Sequence, residues 1–241
     1  MIKLGIVMDP IANINIKKDS SFAMSLEAQR RGYELHDGDG RSVSDQWRKR
    51  AHTRTLNVKQ NYEEWFSFVG EQDLPLADLD VILMCKDPPF DTEFIYATYI
   101  LERAEEKGTR IVNKPQSLRD CNEKLFTAWF SDLTPETLVT RNKAQLKAFW
   151  EKHSDIILKL LEIMGGASIF RVKEGDPNLG VIAETLTQHG TRYCMAQNYL
   201  PAIKDGDKRV LVVDGEPVPY CLARIPQGGE TRWQSGCRWS R

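Results

Sequence analysis

The sequence predicts an α/β N-terminal domain on a parallel sheet, followed by an α+β domain on an antiparallel one. Three observations carry this. Up to about residue 120, apolar strand-like runs alternate with segments of helical spacing over short connections. The second half instead sets its strand-like runs close together in sequence and joins them by turns. A chain of 241 residues is also long enough to bury two modest cores.

Ile2-Lys3-Leu4-Gly5-Ile6-Val7-Met8 reads as a buried strand. Asp19 or Ser20 can cap a helix that runs through Arg31 and is stopped by Gly32. Leu79 to Met84 is the next strand, with a turn at Asp87-Pro88-Pro89. Phe94 to Lys107 carries apolar residues at helical spacing and stops at Gly108, and Arg110 to Asn113 returns as a strand before Pro115. The later half reads as helix Leu118 to Phe130, strand Leu138 to Thr140, helix Lys143 to Lys152, strands Asp155 to Lys159 and Ser168 to Lys173, then helix Leu179 to Gln188. Strands Arg192 to Tyr199 and Lys208 to Val213 follow, and Asp214-Gly215 signals a hairpin into Glu216 to Arg224.

Two blocks fit no period. His36 to Arg50 shows neither helical nor strand spacing and predicts a solvated loop. Arg232 to Arg241 holds two of the six tryptophans and three arginines with no aliphatic residue. It predicts a segment that neither extends a sheet nor packs as an amphipathic helix, and so is disordered or lies loosely over the second domain.

Charge is balanced, with 33 basic against 34 acidic side chains, so nothing suggests general binding to nucleic acid. A hydrophobic share of 41% argues against disorder. No apolar run approaches the roughly 20 residues needed to cross a bilayer, and Met1 to Met8 reads as a strand rather than a leader. The expectation is a cytoplasmic protein. The five cysteines are scattered without a C-x-x-C pair, as suits reduced thiols. His36, His52, His153 and His189 form no metal spacing and read as surface histidines. Gly5 opens no G-x-G-x-x-G fingerprint, which disfavours a dehydrogenase.

The most informative stretch is Ile156 to Ser168: an apolar strand delivers Lys159, and Met164-Gly165-Gly166 follow. A glycine pair lets backbone N–H groups approach a polyanion, and a lysine at a strand end supplies a point charge. Taken alone, the same residues read as an exposed lysine and an ordinary turn. Lys124 alone reads as a surface lysine, and Gln197-Asn198-Tyr199-Leu200 as a strand end packing its apolar residues into a core. Asp207, Arg209 and Arg224 are each, singly, surface charges.

Together with Asn113-Lys114-Pro115, Met195 to Pro201 and Asp207-Lys208-Arg209-Val210, this pattern resembles the ATP-grasp ligases. Over nearly all of residues 1 to 232 the chain is similar to the bacterial glutathione synthetases. The resemblance implies an N-terminal pre-ATP-grasp domain at 1–120, an incomplete ATP-grasp domain at 121–232 and an aberrant tail at 233–241. It implies use of ATP with Mg²⁺ or Mn²⁺. The carboxylate of γ-glutamylcysteine would become an acyl phosphate that the amine of glycine attacks, giving glutathione, ADP and phosphate. On the same resemblance, Lys124 and Lys159 reach phosphates under a lid of Met164, Gly165 and Gly166. Gln197, Asn198, Tyr199 and Leu200 hold adenine, Asp207 accepts from ribose, and Arg209 and Arg224 serve as catalytic cations. Asp9-Pro10, Ser20-Ser21 and Lys86 to Asp91 look like the family's substrate-side loops. The resemblance also implies metal-binding carboxylates beyond the position where this chain ends, and a homotetramer.

There are departures. Leu160, Glu162 and Ile163 stand where the family writes proline, aspartate and glycine, and Cys85 stands where it usually carries arginine. The blocks at 36–50 and from 233 onward diverge between matching flanks, as translation in a shifted reading frame would produce. Two other readings stay open: a catalytically inactive remnant or nucleotide-binding module, and an ATP-grasp ligase for another amino-acid substrate.

Overall fold

The computed structural model describes residues 1–45, 48–87, 89–162, 168–224 and 239–240. The chain forms two compact units, Met1–Cys121 and Asn122–Arg241.

The first unit contains β1 (Lys3–Val7), α1 (Ser20–Arg30), β2 (Glu34–Asp45), β3 (Arg48–Val58), β4 (Phe66–Pro75), β5 (Val81–Met84), α2 (Thr92–Glu105), β6 (Arg110–Val112) and α3 (Pro115–Asp120). Its sheet has the order β4-β3-β2-β1-β5-β6. The four strands β2, β1, β5 and β6 run parallel, whereas β3 and β4 join antiparallel. β1 lies in the interior, which explains its unbroken buried core of Leu4, Gly5 and Ile6. Gly5 is required by close approach: a Cβ there would stand 2.8 Å from Leu79 Cδ1 and 3.2 Å from Ile82 Cγ1. Phe22 and Ala28 of α1 pack with Leu4, Ile6 and Leu35 on one face of the sheet. Phe94, Leu101 and Ala104 of α2 pack with Ile82, Met84 and Ile111 on the other. Each buried Leu, Ile, Met or Phe among them is worth about 1.5–3 kcal/mol relative to exposure, and each alanine less. The Asp19 side chain caps α1 by accepting from the Phe22 N–H at 2.8 Å, and Gly32 leaves the helix at φ +79°.

The stretch from His36 to Arg50 is not a loop. Its described residues belong to the hairpin strands β2 and β3, with His36 and Asp37 fully buried. Main-chain pairing to β1 on one side and β3 on the other supplies the backbone bonds, so no period-two side-chain pattern is needed. Arg54 donates to the Asp37 carboxylate at 2.6 Å, and His36 Nε2 lies 2.8 Å from Glu34 Oε1. These partners keep buried polar groups where sequence spacing predicts solvated ones.

The second unit begins with a 3₁₀ stretch, Leu125–Leu133. It continues with β7 (Thr137–Thr140), α4 (Lys143–His153), β8 (Asp155–Leu160), β9 (Ile169–Lys173), α5 (Leu179–Thr187), β10 (Cys194–Asn198), β11 (Asp207–Val213), β12 (Glu216–Arg224) and β13 (Trp239–Ser240). The predicted helix from Leu118 to Phe130 is broken. α3 stops at Asp120, because the Asn122 side chain accepts from the N–H groups of Lys124 and Leu125 at 3.1 and 2.9 Å and so offers the backbone a turn instead. Lys124 therefore sits in this turn and not on a helix.

β7-β10-β8-β9 form an antiparallel sheet. One face buries Ile156, Leu158, Leu160, Val172, Cys194 and Ala196 against Leu146 and Phe149 of α4 and Ala183 and Leu186 of α5. β11 and β12 make a hairpin whose turn, Asp214-Gly215, has φ of +51° and +82°, the geometry its two residues favour. Trp239 and Ser240 pair with Arg224 and Ala223, so the tail does extend a sheet; ladder bonds are main-chain bonds and need no apolar period. Residues 232–238 and Arg241, which hold the rest of that expectation, lie outside the described residues.

Candidate functional site

The second unit's sheet has a face turned away from α4 and α5. Strand alternation places Asp155, Ile157 and Lys159 of β8 on it, and the register adds Ile169 and Arg171 of β9 and Met195 and Gln197 of β10. Tyr199 follows in phase, its N–H donating to the Asp155 carbonyl at 3.0 Å. Lys159 and Tyr199 thus share one face, the arrangement the sequence reading needs if one is to take a phosphate and the other a base.

Lys159 lies opposite Met195 and Ile169 and is half-buried. Among the described residues its ammonium has no hydrogen bond or ion pair. Burial first, and the neighbouring Lys124 ammonium second, hold its pKa below the usual lysine range, with Glu123 opposing weakly. Lys124 reaches the same strand end: its Nζ donates to Glu123 Oε1 at 2.6 Å and to the Leu161 carbonyl at 3.2 Å. Two cations therefore converge just before Met164, Gly165 and Gly166, which lie outside the described residues. A partly desolvated ammonium beside a second one is an arrangement that an anion would stabilise.

The base-side residues are placed less simply. Gln197 Nε2 donates to Thr137 Oγ1 at 2.9 Å, and the Asn198 N–H is already engaged with the Glu136 carbonyl at 3.0 Å. Leu200 is exposed, whereas Tyr199 is buried with the Arg171 guanidinium 3.5 Å from its ring centroid. Arg171 is forked onto Asp155, Nε to Oδ1 at 2.9 Å and Nη2 to Oδ2 at 2.6 Å, and this bridge holds the Asp155 carboxyl below the usual carboxylate range. Neither Arg171 nor Asp155 stands out in the sequence. Their signal is position in phase with Lys159, Asp155 on β8 itself and Arg171 on its neighbour β9.

Asp207 and Arg224 bind each other across the β11–β12 hairpin, and Arg209 lies exposed opposite Leu222. Glu162, which precedes Ile163 and the glycine pair in sequence, pairs with Arg192 at 2.6 Å. In the first unit, the loops that the resemblance marks as substrate-side lie at the carboxyl ends of β1 and β5, the usual ligand end of parallel strands. The Cys85 N–H donates to the Val7 carbonyl at 2.8 Å, and Lys86 Nζ lies 3.6 Å from Asp9. Burial raises the Cys85 thiol pKa, partly offset by the Ser21 hydroxyl. Two of the histidines are not on the surface: His36 is fully buried, and His153 packs on the Phe149 ring with centroids 4.4 Å apart. Among the described residues, no group of three or more His, Cys, Asp or Glu side chains is placed to hold a metal ion.

The family models "Prokaryotic glutathione synthetase, N-terminal domain" and "Prokaryotic glutathione synthetase, ATP-grasp domain" match residues 2–119 and 123–236. Glutathione synthetase of Escherichia coli strain K12 is 91% identical over 235 residues, which cover 96% of this chain and 74% of that protein. Glutathione synthetase of Salmonella typhimurium strain LT2 is 81% identical, with the same coverage of 96% and 74%. Among solved structures, D-cycloserine synthetase DcsG superposes with a TM-score of 0.62 at 12% identity, covering 92% of this chain and 68% of that one. D-alanyl-alanine synthetase A from Vibrio cholerae superposes with a TM-score of 0.56 at 10% identity, covering 100% and 72%. At these identities the structural likeness speaks for the fold.

Proposed function

This chain belongs to the prokaryotic glutathione synthetase family, and from that premise we propose that it ligates γ-glutamylcysteine to glycine with cleavage of ATP to ADP and phosphate. The observation that carries the reading is 91% identity to a glutathione synthetase across 96% of this chain. It favours this reading over an inactive remnant and over another amino-acid substrate. The protein is an ATP-dependent ligase acting on small molecules.

In this reading the substrate carboxylate is phosphorylated and the glycine amine then displaces phosphate from the acyl phosphate. The protein contributes position and charge more than covalent chemistry. Lys159, held partly out of water, meets a phosphate oxygen, and Lys124 exchanges Glu123 for a second one. The family resemblance assigns Met164, Gly165 and Gly166 to the same phosphates. Gln197 to Leu200 receive the base, Asp207 the ribose, and Arg209 and Arg224 the transferring phosphoryl group or the substrate carboxylate. Asp207 and Arg224 reach these roles only by exchanging their mutual bridge for ligand contacts.

The family uses ATP with Mg²⁺, and Mn²⁺ would serve in the same place because it shares the preference for oxygen ligands. The described residues offer no donor set for either ion. The proposal extends to a cytoplasmic homotetramer, supported by the family resemblance. No described helix is long and apolar enough to cross a membrane.

The test is mass-spectrometric detection of glutathione from γ-glutamylcysteine, glycine, ATP and Mg²⁺, with alanine and serine as competing acceptors. Glutathione with stoichiometric ADP is the expected result. A product from another acceptor, with none from glycine, would transfer the chain to a different substrate. Sedimentation of the purified protein would test the tetramer.

A further inference from the structure

On the open face of the second unit's sheet, Asp155 and Arg171, which the roles above leave unused, close a triangle with Tyr199, just past the end of β10. Asp155 holds Arg171 through its side chain, by two hydrogen bonds, and holds Tyr199 through its backbone, by one. Arg171 closes the figure by stacking its guanidinium on the Tyr199 ring. A forked guanidinium has little freedom left, and a ring covered by it cannot shift without breaking the stack. Tyr199 is the third residue of Gln197-Asn198-Tyr199-Leu200, so whatever fixes its ring also fixes where that backbone runs.

The triangle is separate from the lysines. Asp155 opens β8 and Lys159 stands four residues along it, about 13 Å away at strand rise. Changes at one end of the strand can therefore be read independently of the other.

We propose that Arg171 is a positioning residue for base recognition: clamped by Asp155, it sets the Gln197–Leu200 segment through the Tyr199 ring and so governs how tightly the adenosine part of ATP is held. This rests on the nucleotide site proposed above. It predicts a split between the two ends of the ligand, because phosphate binding lies with Lys124 and Lys159.

The experiment is titration calorimetry of the whole chain with ATP and, separately, with inorganic tripolyphosphate, which has phosphates and no base. Arg171→Met should weaken ATP about tenfold, the scale of one lost cation–π and hydrogen-bonded clamp, and leave tripolyphosphate within about twofold. Arg171→Lys should not restore ATP binding, since a lysine has neither the fork nor the plane, and Asp155→Asn should shift ATP in the same direction. Thermal melting by circular dichroism separates loss of fold from loss of site. Unchanged ATP affinity in Arg171→Met, or equal weakening of both probes, would overturn the inference. A wild-type chain that binds neither probe would overturn the nucleotide reading itself, and the inference with it.

Discussion

Arg224 and Asp207 face each other at the open end of the β11–β12 hairpin, with two guanidinium nitrogens on two carboxylate oxygens. Both side chains are about a quarter to a third exposed, at 26% and 30%. The pair staples the strand ends opposite the Asp214-Gly215 turn, and it also holds two residues that the nucleotide reading wants for ligand.

A double-mutant cycle separates these uses. Asp207→Ala and Arg224→Ala should each destabilise the protein modestly and show a coupling energy of about 1 kcal/mol in urea unfolding, the upper range for a partly exposed bidentate pair. Both should also weaken ATP binding. Additive stability effects would mean that the bridge contributes nothing in solution.

Lys159→Met should raise stability at neutral pH while abolishing most ATP binding. The lysine pKa is lowered in the fold, so the unfolded chain binds more protons between the two values and stability rises with pH across that interval. Below it the wild type carries the full penalty of a desolvated ammonium, and above it none. The advantage of the variant should therefore shrink as pH approaches about 10, where an ordinary lysine loses its charge. A variant less stable than wild type at pH 7 would mean that Lys159 is not desolvated.

Cys194 should resist iodoacetamide in the folded protein. It is fully buried, and burial pushes its thiol pKa up to about 11, which at pH 8 leaves about one molecule in a thousand as thiolate. Cys121 and Cys221 are exposed and should label first. Peptide mapping gives the order, and early labelling of Cys194 would show that the core of the second unit opens readily.

The β11–β12 hairpin exposes Val210, Leu211, Val212, Val213 and Tyr220, each more than half accessible. Leu211→Lys with Val213→Lys should lower binding of a hydrophobic dye and slow aggregation, with little change in melting temperature. A large drop in melting temperature would show that these side chains are buried in solution.

Much of the second unit could be read from its residues. β8 alternates strictly between buried and half-buried positions, Asn142 announces α4 by accepting from the N–H groups of Ala144 and Gln145, and Asp214-Gly215 marks its hairpin. What escaped was set by partners distant in sequence. His36 and Asp37 look like loop residues until Glu34 and Arg54 are beside them, and Asn122 breaks a helix that apolar spacing alone would continue. The candidate site shows the same division. Lys159 and the Gln197–Leu200 segment were identifiable through family resemblance, but the Arg171–Tyr199 stack depends on strand register, which no local window contains.

The interior place of β1 bears on how the chain is made. Its Lys3 N–H donates to Asp80 Oδ2, 77 residues later, and its second neighbour β5 begins at Val81. A ribosome adding about 5–20 residues per second leaves that edge waiting for several seconds while β2, β3 and β4 can already pair beside it. During synthesis the nascent chain thus presents an apolar strand with one side unclaimed, a natural target for holding chaperones, and slowing translation between residues 58 and 81 should increase its capture by them.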